Sequence, residues 1–134
     1  MKSNLLGVLA VGAGLVAAMP MFAHHSFSAE YDRAKTVELK GTVTKVEWMN
    51  PHARFYVDVK DDASKVTNWE FELGSPNGLM RQGWTKNSLK EGDVVQVNGS
   101  RAKDGSNLVN ASTVMLANGK KVFAGSSAED PATK

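Results

Sequence analysis

Cysteine is absent from the 134 residues, so no disulfide staples the fold and no thiolate serves as ligand or nucleophile. Proline occurs four times and histidine three, few enough that each position carries information. An excess of one charge is lacking too: sixteen Lys and Arg face fourteen Asp and Glu, interleaved along the chain. Such a mixed surface is not the basic stripe of a nucleic-acid binder, and no nucleic acid is expected as partner. There is no Gly-rich phosphate loop and no Gly-x-Ser-x-Gly elbow, which removes the common enzyme signatures. The expectation is a binding module and not an enzyme.

Apolar runs are short, with one exception. Met1-Lys2-Ser3-Asn4 precedes an apolar stretch from Leu5 to Met19. One early positive charge, an apolar core of this length and small residues beyond it describe a secretory signal peptide. The stretch falls short of the roughly 20 apolar residues of a membrane helix, so no membrane span is expected once it is removed. Pro20 breaks the apolar helix, and Ala23 suits the last position before the cut. A rival cut after Ala18 leaves almost no polar spacer. Cleavage after Ala23 makes His24 the first residue of a mature part of about 110 residues, enough for one modest core.

What remains alternates with the period of strands. Residues 24–35 read as an N-terminal arm. Val37, Leu39, Gly41 and Val43 then alternate with charged and polar residues, and at Val46 and Trp48 the parity flips. A flip inside one strand implies a bulge near Thr44-Lys45, and Gly41 implies a bend. Asn50-Pro51 ends this strand. Phe55, Val57 and Val59 mark a second, and Trp69, Phe71 and Leu73 a third that pairs with it as a hairpin. Ser75-Pro76 opens a short helix, with Ser75 as N-cap, Pro76 in the first turn and Gly83 at its end. Leu79, Met80 and Trp84 are expected to face the core. Residues 94–100 and 108–117 supply a fourth and fifth strand. The tryptophans read as core plugs.

Three strands, a short helix and two strands describe an all-β, OB-fold-like Greek-key barrel of five strands, with the helix between strands 3 and 4. The expected organisation is a signal peptide over 1–23, the arm over 24–35, the barrel over 36–124 and a disordered tail over 125–134.

His24, His25 and His52 are the sharpest chemical feature. With His24 at the mature terminus, its α-amine and imidazole chelate one ion, and His25 adds a second imidazole. Nitrogen donors in a tetragonal arrangement suit Cu(II). His52, at the mouth of the first hairpin, completes the set if the arm folds back. The plain alternative is a solvated His-His pair and a histidine that merely caps its turn. A second class of function uses the barrel face: Arg54, Tyr56, Glu70, Glu72 and Trp84 would contact an envelope protein, a glycan or a small ligand. Glu70 and Glu72 share a strand face, which ordinary cross-strand charge pairing with Arg54 and Lys60 accounts for.

The run His24-His25-Ser26-Phe27 after a signal segment, Lys40-Gly41-Thr42-Val43, Trp48 with Asn50-Pro51-His52, Gly74-Ser75-Pro76-Asn77, Gly83-Trp84 and Lys90-x-Gly92-Asp93 resemble a family of uncharacterised secreted bacterial proteins. The resemblance runs to about Ser127 and implies export, to the periplasm of a Gram-negative bacterium or beyond it. It also implies that all three histidines lie in family motifs. It carries no activity, substrate or cofactor with it. The layout is also similar to exported bacterial OB-fold modules, which bind small cations, haem or oligosaccharides.

Overall fold

The computed structural model describes residues 27–125. The signal segment, His24, His25 and residues 126–134 lie outside the described residues. The described chain is mostly β, with a short helix between the third and fourth strands: β1 (Tyr31–Glu47), β2 (Arg54–Lys60), β3 (Val66–Glu72), α1 (Pro76–Arg81), β4 (Val94–Ala102), β5 (Leu108–Met115) and β6 (Lys121–Phe123).

The strands run in the order β3-β2-β1-β4-β5-β6, and β3 also pairs with β5. That last pairing is parallel, Glu70 to Glu72 against Leu108 to Asn110, and it closes β1 to β5 into a ring, with β6 outside it on the far edge of β5. Every other neighbouring pair is antiparallel. Two devices let the sheet curl this far. The register of β1 against β2 slips between Val43 and Lys45, which places the expected bulge at Thr44. At Gly41 and Gly99 the neighbouring backbone comes so close that a Cβ would sit 2.1 Å from Asp58 O or Asn110 O. Only glycine allows two backbones to approach to that degree.

Inside the ring Val43, Phe55, Val57, Phe71, Val95, Val97, Val109 and Val114 are all at most 1% exposed. Phe55 and Phe71 stack with centroids 5.1 Å apart. The helix adds Leu79 to this core. Ser75 Oγ accepts from Gly78 N–H, Pro76 occupies the first turn and Gln82 caps the other end, after which Gly83 takes φ +92°. Leu79 is fully buried and Trp84 almost so, whereas Met80 is 51% exposed, against expectation. A single helical turn presents one narrow face, and Leu79 takes it. Trp48 and Trp69 are half-buried against the core edge, and the guanidinium of Arg101 lies over the Trp69 ring at 5.1 Å.

Two expectations need correction. Strands number six among the described residues. Asn118-Gly119 turns the chain back so that Lys121–Phe123 pairs with Thr113–Met115, and Trp84 Nε1–H donates to Phe123 O at 2.7 Å. The arm also ends earlier than residue 35. Residues 27–30 are helical, and Tyr31 already pairs with Ala102 of β4. The next pair is Thr36 with Ser100, so four residues of β1 bulge out opposite a single residue of β4.

Candidate functional site

Beginning with β2 and β3, residues alternate between the core and the outer face. Arg54, Tyr56 and Asp58 of β2 stand beside Glu72, Glu70 and Asn68 of β3. The Arg54 guanidinium bonds Glu70 through one nitrogen and Glu72 Oε2 through the other at 3.2 Å. The expected cross-strand pairing therefore holds for Arg54, while Lys60 sits at the far end opposite Val66. Tyr56 O–H donates to Glu47 Oε2 at 3.4 Å, and Lys45 bonds Glu47 at 2.5 Å while its ammonium lies 5.4 Å from the Tyr56 ring centroid. The hydrogen bond from Lys45 holds the Glu47 carboxyl below its ordinary range. Burial, then the nearby Glu70 charge, raises the Tyr56 phenol.

Glu72 stands apart from these neighbours. It faces outward, yet only 7% of it is exposed. The cover comes from Tyr31, which is itself 2% exposed. The Tyr31 hydroxyl lies close to the Glu72 carboxylate, and burial followed by the Glu72 charge raises its pKa far above the usual phenol range. Glu30 next to it is pushed up by burial and by Glu72, with Asp104 and Glu70 adding to the effect and Arg54 opposing it. Asn110, also buried, pairs with Glu72 across the ring closure.

His52 sits at the mouth of the β2–β3 hairpin, after the cis Asn50–Pro51 bond. Ala53 N–H donates to Gly74 O at 3.0 Å and Leu73 N–H to Ala53 O at 2.8 Å, so the backbone on either side is clamped. His52 Nδ1 is 3.0 Å from Leu73 O and 3.9 Å from Glu72 Oε1. A carbonyl oxygen only accepts, so Nδ1–H is the donor. In the neutral ring that leaves the lone pair on Nε2, turned away from the backbone. The side chain is 41% exposed, so this nitrogen is within reach of a ligand.

The structure thus brings Arg54, Tyr56, Glu70, Glu72 and His52 onto one face, and takes Trp84 out of it. Trp84 is 3% exposed, a core plug anchored to Phe123 O, and cannot serve as surface. Tyr31, Glu30 and Asn110 are members of this face that alternation alone does not reveal. Among the described residues no group of three or more His, Asp or Glu is arranged to hold a metal. Any three-ligand site at His52 therefore needs donors from outside them.

These observations define an all-β chain closed into a ring, with a polar outer face centred on Glu72. A family model described as "Family of unknown function (DUF6152)" matches residues 13–110, more than half of the chain, and the protein belongs to that family. Neither curated proteins nor solved structures give a match.

Proposed function

We propose that the protein is a small exported binding module of OB type that holds Cu(II) through His24, His25 and His52. The barrel reading rests on the pairing cycle β1-β2-β3-β5-β4 with its helix between β3 and β4, the layout of a five-stranded Greek-key barrel, to which β6 is an addition. Export, to the periplasm or outside the cell, rests on the leader pattern of residues 1–23. The observation that carries the metal reading is the Nδ1–H bond from His52 to Leu73 O, with Glu72 behind it. A backbone acceptor on Nδ1–H that fixes the tautomer and frees Nε2 is what a metal-binding histidine needs. The arm supplies the complement. Phe27, three positions after His24, packs on Tyr31 at 5.4 Å, and Tyr31 covers the carboxylate beside His52.

The test is native mass spectrometry of the exported protein with one equivalent of Cu(II) and a competing chelator. One retained copper on a chain starting at His24, lost in His52→Ala, is the expected result. Copper surrendered to a weak chelator, or retained equally by His52→Ala, removes the site.

A second reading takes the same face as a docking surface for an envelope protein or a glycan without metal. It is favoured by the half-exposed Tyr56 ring, framed by the paired charges Lys45–Glu47 and Arg54–Glu70. It predicts that the protein holds no copper tightly and that Tyr56→Ala abolishes capture of that partner.

A further inference from the structure

We propose that two copies of the chain associate through the open edge of β1, with residues 37–41 of each running antiparallel about a two-fold axis at Leu39. Such pairing needs no metal. β1 changes partners along its length, pairing with β4 from Tyr31 to Thr42 and with β2 from Thr42 to Glu47. From Thr36 to Gly41 it therefore has β4 on one side and no strand of the described residues on the other. Hydrogen bonds at the far end of this stretch fix which backbone groups are free. Val43 N–H donates to Asp93 O and Gly92 N–H to Val43 O, both at 2.8 Å, so Val43 turns its polar groups toward the chain entering β4. Successive strand residues direct theirs to opposite edges, so Val37, Leu39 and Gly41 also serve β4. The N–H and C=O of Glu38 and Lys40 face the open side, with no backbone partner among the described residues.

Natural sheet edges are blunted by proline, a bulge, an inward charge or an excess of lysine. Here the register against β4 is unbroken from Thr36 to Thr42, and Val37-Glu38-Leu39-Lys40-Gly41 holds no proline. Glu38 and Lys40 are exposed, while Val37 and Leu39 are half-buried at the margin of the core. Their charges cancel, so the edge does not repel a copy of itself. Neither enters any ion pair of the described residues. The order of the two signs selects the occupant. Pairing about Leu39 sets Glu38 opposite Lys40 of the second copy and Lys40 opposite its Glu38. Each of these pairs exchanges both N–H···O bonds and brings opposite charges together. Leu39 meets Leu39 of the second copy on the axis, and Val37 meets Gly41. An axis at Glu38 or at Lys40 would place like charges directly opposite, which destabilises the pair. The contact uses the same patch on both copies, so it closes at a dimer.

The test is sedimentation velocity over a series of protein concentrations, together with amide exchange resolved by residue. It compares the wild type, Glu38→Lys, Lys40→Glu and the doubly exchanged Glu38→Lys/Lys40→Glu. Both positions are exposed, so the variants keep the fold. The wild type is expected to pass from monomer to dimer as concentration rises. In step with that change the Glu38 and Lys40 amides slow, whereas those of Val37 and Leu39 are slow throughout. Each single exchange turns attraction into repulsion at both symmetric pairs and weakens association about tenfold. The two do so although they move the net charge in opposite directions, and the double exchange restores the dimer. A wild type that stays monomeric at every concentration overturns the proposal. Slow exchange at Glu38 and Lys40 in that monomer would mean that the chain's own remaining residues cover the edge. A dimer indifferent to both single exchanges uses another face and overturns it equally. Single exchanges that weaken the dimer without rescue by the double one overturn the axis at Leu39.

Discussion

Phe55, Val57 and Phe71 are sealed inside the ring, while Arg54, Tyr56 and Glu70, one residue away on the same two strands, remain half-exposed. The inner set is held by packing that any small change of volume disturbs. The outer set is held by ion pairs and hydrogen bonds in contact with water, which contribute little each. Stability and recognition are thus separated by a single step along the chain. Glu72 departs from this division, being outward in direction and inward in burial.

The separation is broken most severely from the inside. Phe71→Ala is expected to cost about 3–5 kcal/mol in chemical denaturation, against less than about 1 kcal/mol for Glu70→Ala. Equal costs would mean the two faces are not distinct. Next in size is Gly99→Ala, about 1–3 kcal/mol, because its Cβ meets Asn110 O and β5 must move away from β4. A melt as stable as wild type would show that the close approach is not maintained in solution.

Trp84→Phe keeps the apolar plug and removes the donor to Phe123 O, for about 1 kcal/mol. The loss should appear as faster exchange in β6, and unaltered exchange there would detach the indole from that strand.

Tyr31 gives the smallest effect at neutral pH and the most specific one. Tyr31→Phe removes a buried hydroxyl beside the Glu72 carboxylate and is expected to change stability by no more than about 1 kcal/mol. In alkali the two chains diverge. The unfolded phenol ionises near its ordinary 10.0, whereas the buried one keeps its proton. The unfolded state therefore binds fewer protons above that pH, and stability falls as pH rises past 10. The phenylalanine variant lacks this contribution, so identical alkaline profiles would place Tyr31 in water.

Much of this division is written in local alternation. Phe55, Val57, Trp69 and Phe71 mark their strands, the parity flip at Val46 marks the bulge, and Ser75-Pro76 marks the helix start. The features that escape such a reading depend on chain that arrives from elsewhere. Asp32 to Lys35 show no apolar period because they bulge from the ladder, so the start of β1 at Tyr31 is hidden. Lys121–Phe123 is too short to show a period, although Asn118-Gly119 is an ordinary hairpin signal before it. Glu72 reads as a solvated strand residue until Tyr31, remote in sequence, is laid across it. Of the site, His52, Arg54, Tyr56, Glu70 and Glu72 are legible from the sequence. The bond from His52 to Leu73 O is not, since it joins two ends of a hairpin.

The parallel seam between β3 and β5 also orders events in time. The β1–β2–β3 meander forms from neighbours in sequence, but the free side of β3 finds its partner only after the helix and β4 have been laid down. Contacts this remote form slowly. A chain growing or refolding from its N-terminus therefore shows an unpaired strand edge in the interval, the kind of edge that recruits other chains. Aggregation during refolding should accordingly rise with any change that delays β5, and fall when β5 is supplied as a separate peptide.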